Sequence, residues 1–151
     1  MTAECVLGID PSTITGWVVL YKGGHTEWGE AQYKKLKGIE RVDTFLGWAN
    51  DIMDTYHPRA VYIEGYGYAN KHSLVTLVEV GTAIRLALHA HGSEYVEIAP
   101  NALKKFATGK GNAQKDQIML AVYKKWGFEA STNNIADAYV LARMAAEGTW
   151  D

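Results

Sequence analysis

Apolar positions along the chain follow two different periods. VLGID (6–10) is apolar on successive residues, the pattern of a strand covered on both faces. GWVVLYK (16–22) predicts a second strand, and Gly23-Gly24 predicts a hairpin turn into a third, HTEWGEAQYK (25–34). The period then changes. Ile39, Val42, Phe45, Leu46, Ala49, Ile52 and Met53 recur at helical spacing over 38–56, and Pro58 closes that helix. AVYIEG (60–65) predicts a short fourth strand. A loop rich in glycine and tyrosine, GYGYANKH (65–72), leads to a helix over 73–90. EYVEIA (94–99) predicts a fifth strand, followed by helices over 100–106, 114–126 and 133–147, with the loop TGKGNA between the first two. A three-strand meander followed by alternating helix and strand predicts an α/β fold, a mixed five-stranded sheet flanked by helices. There is no repeat, low-complexity tract or linker, so the reading is one domain over 1–151.

Composition changes this picture little. A 48% hydrophobic content supports a packed core and excludes a disordered chain. No apolar run reads as a membrane span, and the N-terminus lacks the charged start of a signal peptide. Cys5 is the single cysteine, so no internal disulfide forms, and among Val6, Leu7 and Ile9 it reads as a small buried hydrophobe. A reducing, cytoplasmic setting follows (a host's cytoplasm if the source is viral), and no membrane partner is expected.

Charge changes it more. The net charge of −2 does not suggest a nucleic-acid binder, but the sum hides a segregation. Residues 100–127 hold Lys104, Lys105, Lys110, Lys115, Lys124 and Lys125 against one acid, Asp116. Lys34, Lys35, Lys37 and Arg41 form a second basic stretch against Glu40. Ordinary solvated helix faces account for this, and so does a basic binding face beside an acidic metal site.

The candidate chemistry lies in three acids. Asp10 ends the first predicted strand, and Glu64 ends the fourth. If those strands are parallel neighbours, the two carboxylates meet at one sheet end. Asp137 reads as lying in the first turn of the last helix, in NNIADAYVLA, with Asn134 three residues before it on the same face and Leu141 below as an apolar anchor. Each acid alone has a plainer explanation: a turn residue before Pro11, a strand terminator before Gly65, an answer to a helix dipole. Together in an apolar setting they repel one another and resist desolvation. A hard divalent cation with oxygen ligands relieves that penalty. Two such ions about 4 Å apart suit the attacking water and leaving oxygen of a phosphodiester.

GIDPSTITGW resembles the first motif of the RuvC family of Holliday-junction resolvases, which have an RNase H-like fold. VYIEGYGYANKHSLVTLVEVGTA resembles its second motif, PNALKKFATGKGNAQKDQI its stretch through a GxGxAxK loop, and IADAYVLA its closing acidic helix. The four stand in order from about residue 6 to 146. The resemblance implies a Mg²⁺-dependent endonuclease, with Mn²⁺ able to substitute, that acts as a homodimer and nicks two strands of a four-way DNA junction symmetrically. By position it implies Asp10, Glu64 and Asp137 as metal ligands and catalytic residues, and Lys115 near the scissile phosphate. A solvated helix-start lysine is the plainer reading of Lys115. The family usually has an acid or His where this chain has Asn134, whose carbonyl can ligate a metal without adding charge. Asn133 and Asp116 are weaker substitutes, and Ser12 stands where the family has a glycine. The longer C-terminal tail of many bacterial members has no counterpart, which suits a compact, divergent or phage-type member.

The family carries a base-stacking aromatic in the loop after the Glu. The aligned position is Gly67, so Tyr68 first and Tyr66 second are the stacking candidates, with Lys71 in the same loop. Packing of both tyrosines over the sheet edge is the alternative, and His72 reads as a helix-start polar residue. Lys104, Lys105, Lys110 and Lys115 are phosphate-contact candidates. The helix over 73–90 is apolar on several faces, which fits either the family's dimer interface or full burial in one subunit. Gly81 within it costs about 1 kcal/mol relative to Ala and predicts the close approach of another backbone. Three other functions remain open: a nuclease of the same fold cutting flaps, other branched DNA or RNA; a non-catalytic module binding branched DNA; and a sugar-kinase-like ATP binder, which needs two large domains where this chain has room for one.

Overall fold

The computed structural model describes residues 3–67 and 71–150, with 71 and 72 by backbone alone. The elements run β1 (Cys5–Asp10), β2 (Ile14–Tyr21), β3 (Thr26–Gln32), α1 (Gly38–Tyr56), β4 (Ala60–Glu64), α2 (Lys71–Ala90), β5 (Val96–Ile98), α3 (Pro100–Thr108), α4 (Lys115–Trp126) and α5 (Asn133–Trp150). The sheet order is β3-β2-β1-β4-β5, antiparallel in the meander and parallel from β1 to β4 to β5. The expected mixed five-stranded α/β sheet is therefore present.

β1 is central because all six of its residues are buried. Cys5, Leu7 and Ile9 enter a core with Phe45, Ile52, Ile84 and Leu88, under α1 and α2. Val6 enters the opposite core with Leu103, Val122, Tyr139 and Leu141, under α3, α4 and α5. The period-2 alternation of β1 thus sends Gly8 and Asp10 toward α5. Gly8 is required there. A Cβ on it would collide with the Ala138 carbonyl and come 2.6 Å from the Ala142 nitrogen. Gly16 is excluded from carrying a side chain in the same way, by the Asn134 backbone. These two glycines let α5 lie directly on β1 and β2.

Several boundaries differ from the sequence reading. β5 shrinks to Val96–Ile98, at the sheet edge with only β4 to pair it. α5 continues past 147 to Trp150, whose indole donates to Glu4 at 3.1 Å and fixes the last turn. α3 reaches Thr108 and stops where Gly109 takes a left-handed conformation, φ 86°. Ser73–Ala90 does meet the length and composition of a membrane-spanning helix, contrary to the sequence reading, although Val80, Ala83, Ile84, Ala87 and Leu88 on it are core residues. Within the chain, the atoms nearest a Cβ at Gly81 are those of Tyr66 and the Arg85 guanidinium.

Candidate active site

Three elements deliver the acids. On β1 and β4, Ile9 pairs with Ile63 in parallel register, so Asp10 and Glu64 emerge side by side at the ends of neighbouring strands. Pro11 ends the pairing to β4, and the chain turns back into β2 through a side-chain-braced loop. The Thr15 hydroxyl, fully buried, donates to the Ser12 carbonyl at 2.6 Å and accepts from the Ser12 N–H at 3.2 Å. The Ser12 hydroxyl donates to the Ile14 carbonyl at 2.7 Å. A serine in place of the family glycine thus takes part in holding the turn after Asp10.

Asp137 comes from α5, whose start is capped by Thr132: its hydroxyl accepts from the Ile135 N–H at 3.2 Å. The first turn of α5 contains no acid, so Asp137 lies beyond it and a helix dipole does not account for its position. The carboxylate oxygens of Asp10, Glu64 and Asp137 lie within 4.8 Å of one another.

The electrostatics are those of a charge cluster short of counter-charge. Burial first, then the Glu64 and Asp137 charges, push the Asp10 carboxyl well above its ordinary value, and Lys115 opposes this. Glu64 is also raised by burial, against the pull of its hydrogen bond with Asp10 and of Lys104. Burial and Glu64 raise Asp137 to about 7, with Lys104 and Lys115 opposing. Three partly buried carboxylates gathered this closely form a donor set suited to a hard divalent cation.

Asp10 and Glu64 open onto a cleft of about 210 Å³ completed by Pro11, Gly65, Tyr66, Gly67 and Leu77. Beside it, a wider depression of about 720 Å³ shares Glu64, Tyr66 and Gly67 and reaches Pro100, Asn101 and Lys104. Of the lysines singled out in the sequence, Lys104 lines this groove, and Lys104 and Lys115 act electrostatically on the acids. Lys110 instead lines a separate groove between α3 and α4, with Lys124 and Lys125. Lys105 is exposed on α3. Tyr66 is 41% exposed, with the Arg85 guanidinium over its ring at 4.4 Å from the centroid. Tyr68 lies outside the described residues, as does the side chain of Lys71.

The Asn134 amide donates to Glu30 at 3.3 Å, and Glu30 also accepts from the Thr132 hydroxyl at 3.1 Å. Sequence reasoning missed Glu30, because each of the two acids in TEWGEAQ, Glu27 and Glu30, looks like any solvent-facing strand position. It also missed Arg85, which had a visible signal: it is the only Lys or Arg between residues 73 and 90.

Residues 6–144 match the family described as Crossover junction endodeoxyribonuclease RuvC. A protein of that name from Chlamydia trachomatis is 30% identical over 95% of this chain and 92% of its own length. One from Hydrogenovibrio crunogenus is 30% identical over 78% of this chain and 72% of its own. Among solved structures, Thermus thermophilus RuvC in complex with a Holliday junction substrate matches with a TM-score of 0.75 at 23% identity, over 92% of this chain and 90% of that one. The yeast mitochondrial Holliday junction resolvase matches with a TM-score of 0.64 at 11% identity, over 93% of this chain and 78% of that one. The two structural likenesses establish the RNase H-like fold. The extent of the family match, with the strand-end acids in place, makes this chain a member of the RuvC family of crossover junction endodeoxyribonucleases.

Proposed function

We propose that this protein resolves four-way DNA junctions by paired, symmetric phosphodiester hydrolysis, as a Mg²⁺-dependent homodimer acting in the cytoplasm. The observation that carries the chemistry is the meeting of Asp10, Glu64 and Asp137 from β1, β4 and α5 within 4.8 Å, beside the cleft that Asp10 and Glu64 line. These three would hold the metal, with Asn134 as a neutral fourth donor. When bound, Mg²⁺ or Mn²⁺ activates water and offsets charge on the scissile phosphate.

The remaining steps belong to the chain's own side chains. Strand ends and a helix seated on glycines fix the carboxylates more closely than a loop would. Lys115 faces the charge that develops on the phosphate, and Lys104 holds the strand along the wider groove. Lys105 and Lys110 extend the phosphate contacts outward. Tyr66 stacks on a base with the ring face that Arg85 leaves open. An exposed stripe on α2, Val75, Val78 and Leu86, is the dimer face, which would give two sites for two strands.

The test uses end-labelled immobile and mobile four-way junctions, with a linear duplex, a flap and an RNA–DNA hybrid beside them. Each is incubated with Mg²⁺ or Mn²⁺, for the wild type and Asp10→Asn. Paired symmetric nicks on junctions alone, lost in Asp10→Asn while junction binding persists, are expected. Tight junction binding without cutting under either metal would leave a non-catalytic binding module. Cutting of the flap or the hybrid instead would keep the metal chemistry and overturn the substrate.

A further inference from the structure

α2 is an apolar helix, and one guanidinium is set into its inner side. Arg85 has a side chain only 11% exposed, and it touches four separate parts of the fold. Its Nε donates to Glu97 of β5 at 2.6 Å. Its Nη1 donates to the Gly81 carbonyl at 3.0 Å, one turn back on α2. Its Nη2 reaches the Glu64 carbonyl at 3.4 Å, at the last residue of β4. Its flat face lies 4.4 Å from the centre of the Tyr66 ring.

Making all four contacts at once uses a shape that lysine lacks. A guanidinium is a planar fork of five donors that stacks on aromatic faces, whereas an ammonium is a compact point charge. The local sequence makes room for that fork. At Gly81, a Cβ would come 2.6 Å from the Tyr66 hydroxyl and 2.7 Å from Arg85 Nη1. A glycine in mid-helix lowers helix propensity, and here it leaves the space in which Arg85 and Tyr66 meet. Glu97 is brought to the fork by register: it pairs with Ile63, and Glu64 pairs with Ile98.

The geometry points to Arg85 as a positioning residue for the cleft: clamped by Glu97 and cleared by Gly81, its guanidinium fixes the end of β4 that carries Glu64 and the Tyr66 wall opposite. This rests on the reading of Glu64 as a metal ligand. Arg85 bonds the backbone of Glu64, not its carboxylate, so it acts through the placement of that residue. It also joins α2, the proposed dimer helix, to the carboxylate cluster, so the spacing of helix and strand end is set by one side chain.

The experiment compares Arg85→Lys, Gly81→Ala and Glu64→Gln with the wild-type chain. Three quantities are read: thermal unfolding without metal, Mn²⁺ affinity by calorimetry without DNA, and kcat and KM for junction cleavage as Mn²⁺ is varied. Gly81→Ala is the discriminating variant. Its Cβ displaces the Tyr66 hydroxyl and Arg85 Nη1, so a merely structural role predicts a lower Tm with unchanged metal binding. The positioning role predicts Mn²⁺ affinity down by about tenfold whichever way Tm moves, the scale of loss when outer partners of metal ligands are removed. Arg85→Lys is expected to lose as much, with kcat falling more than KM rises. Gly81→Ala with wild-type Mn²⁺ affinity overturns the proposal, whether or not Arg85→Lys folds. Glu64→Gln binding Mn²⁺ as tightly as the wild type overturns the ligand reading itself, which is a different failure.

Discussion

Asp137→Asn should make the metal-free protein more stable at pH 8 while abolishing cleavage. Asp137 rises from an ordinary 3.8 to about 7 in the fold, through burial and the Glu64 charge. A raised carboxyl binds its proton more tightly folded than unfolded. Between 3.8 and about 7 the native state therefore holds more protons, and stability falls as pH rises through that window. Below the unfolded value the penalty is absent, and above the folded value it is complete. At 1.36 kcal/mol per unit, a shift of about three units amounts to about 4 kcal/mol at pH 8. Asparagine carries no charge at any pH, so the variant should keep that stability. At roughly 2–4 °C per kcal/mol for a chain of this size, Tm should rise by about 8–16 °C in EDTA at pH 8. At pH below 4 the two proteins should converge. Urea melts in EDTA between pH 3.5 and 8.5, wild type against Asp137→Asn, measure this directly. A wild-type stability that is flat from pH 5 to 8, or that rises with pH in parallel with the variant, would refute the claim that burial and mutual repulsion strain the cluster. Adding Mg²⁺ to the wild type at pH 8 should recover part of the difference and leave Asp137→Asn little changed.

Gly8→Ala should destabilise the fold by about 3 kcal/mol or more, because its Cβ has only the Ala138 carbonyl and Ala142 nitrogen of α5 to occupy; denaturant midpoints read the loss. Lys115→Ala should lower kcat/KM for junction cleavage by on the order of 10²-fold with a smaller effect on junction affinity, and equal losses in both would assign it to binding alone. Val78→Glu, on the exposed stripe of α2, should yield monomers in sedimentation and unpaired nicks on a junction, whereas a monomeric wild type would remove α2 as the dimer face.

The features legible in the sequence were those dictated by backbone and burial. β1 had to be central because it is apolar on consecutive residues, and a central strand ending in an acid has no solvent to point that acid into. The parallel pairing of β1 with β4 was only a condition in the sequence reading, because α1 connects β3 to β4 and does not by itself say which strand β4 joins. The seating of α5 was not legible. It depends on Gly8 and Gly16, which in the sequence look like ordinary strand glycines and declare themselves only when the helix backbone is found against them. Lys110 could not be separated from Lys104 for a related reason. One helical turn and a loop lie between them, and the turn of the chain at Gly109 sends them to different grooves. Arg85 was the opposite case. A cation buried in an apolar helix is costly unless it is paired, so its presence announced a partner, but nothing in EYVEIA marked Glu97, rather than Glu94, as that partner.

Asn134 is the departure from the family pattern that the structure makes physically intelligible. Asp10, Glu64 and Asp137 are already raised by burial, and for Asp10 and Asp137 by carboxylate neighbours as well. A fourth carboxylate one turn before Asp137 would add to that repulsion before any cation arrived. An amide keeps an oxygen donor there and adds no charge. It also brings a donor that a carboxylate lacks, and its Nδ2 turns to Glu30. Glu30 pairs across β2 with Gly16, and Gly16 with Asp10, so the three stand in one row of the sheet on the face that α5 covers. Its carboxylate accepts from both Thr132 and Asn134 and so ties the cap and the first turn of α5 to β3. With Nδ2 committed to Glu30, Oδ1 is the amide atom left for other uses. The negative charge absent at position 134 thus stands two strands from Asp10, engaged by two donors, where it holds the helix that carries Asp137 without crowding the carboxylates it serves.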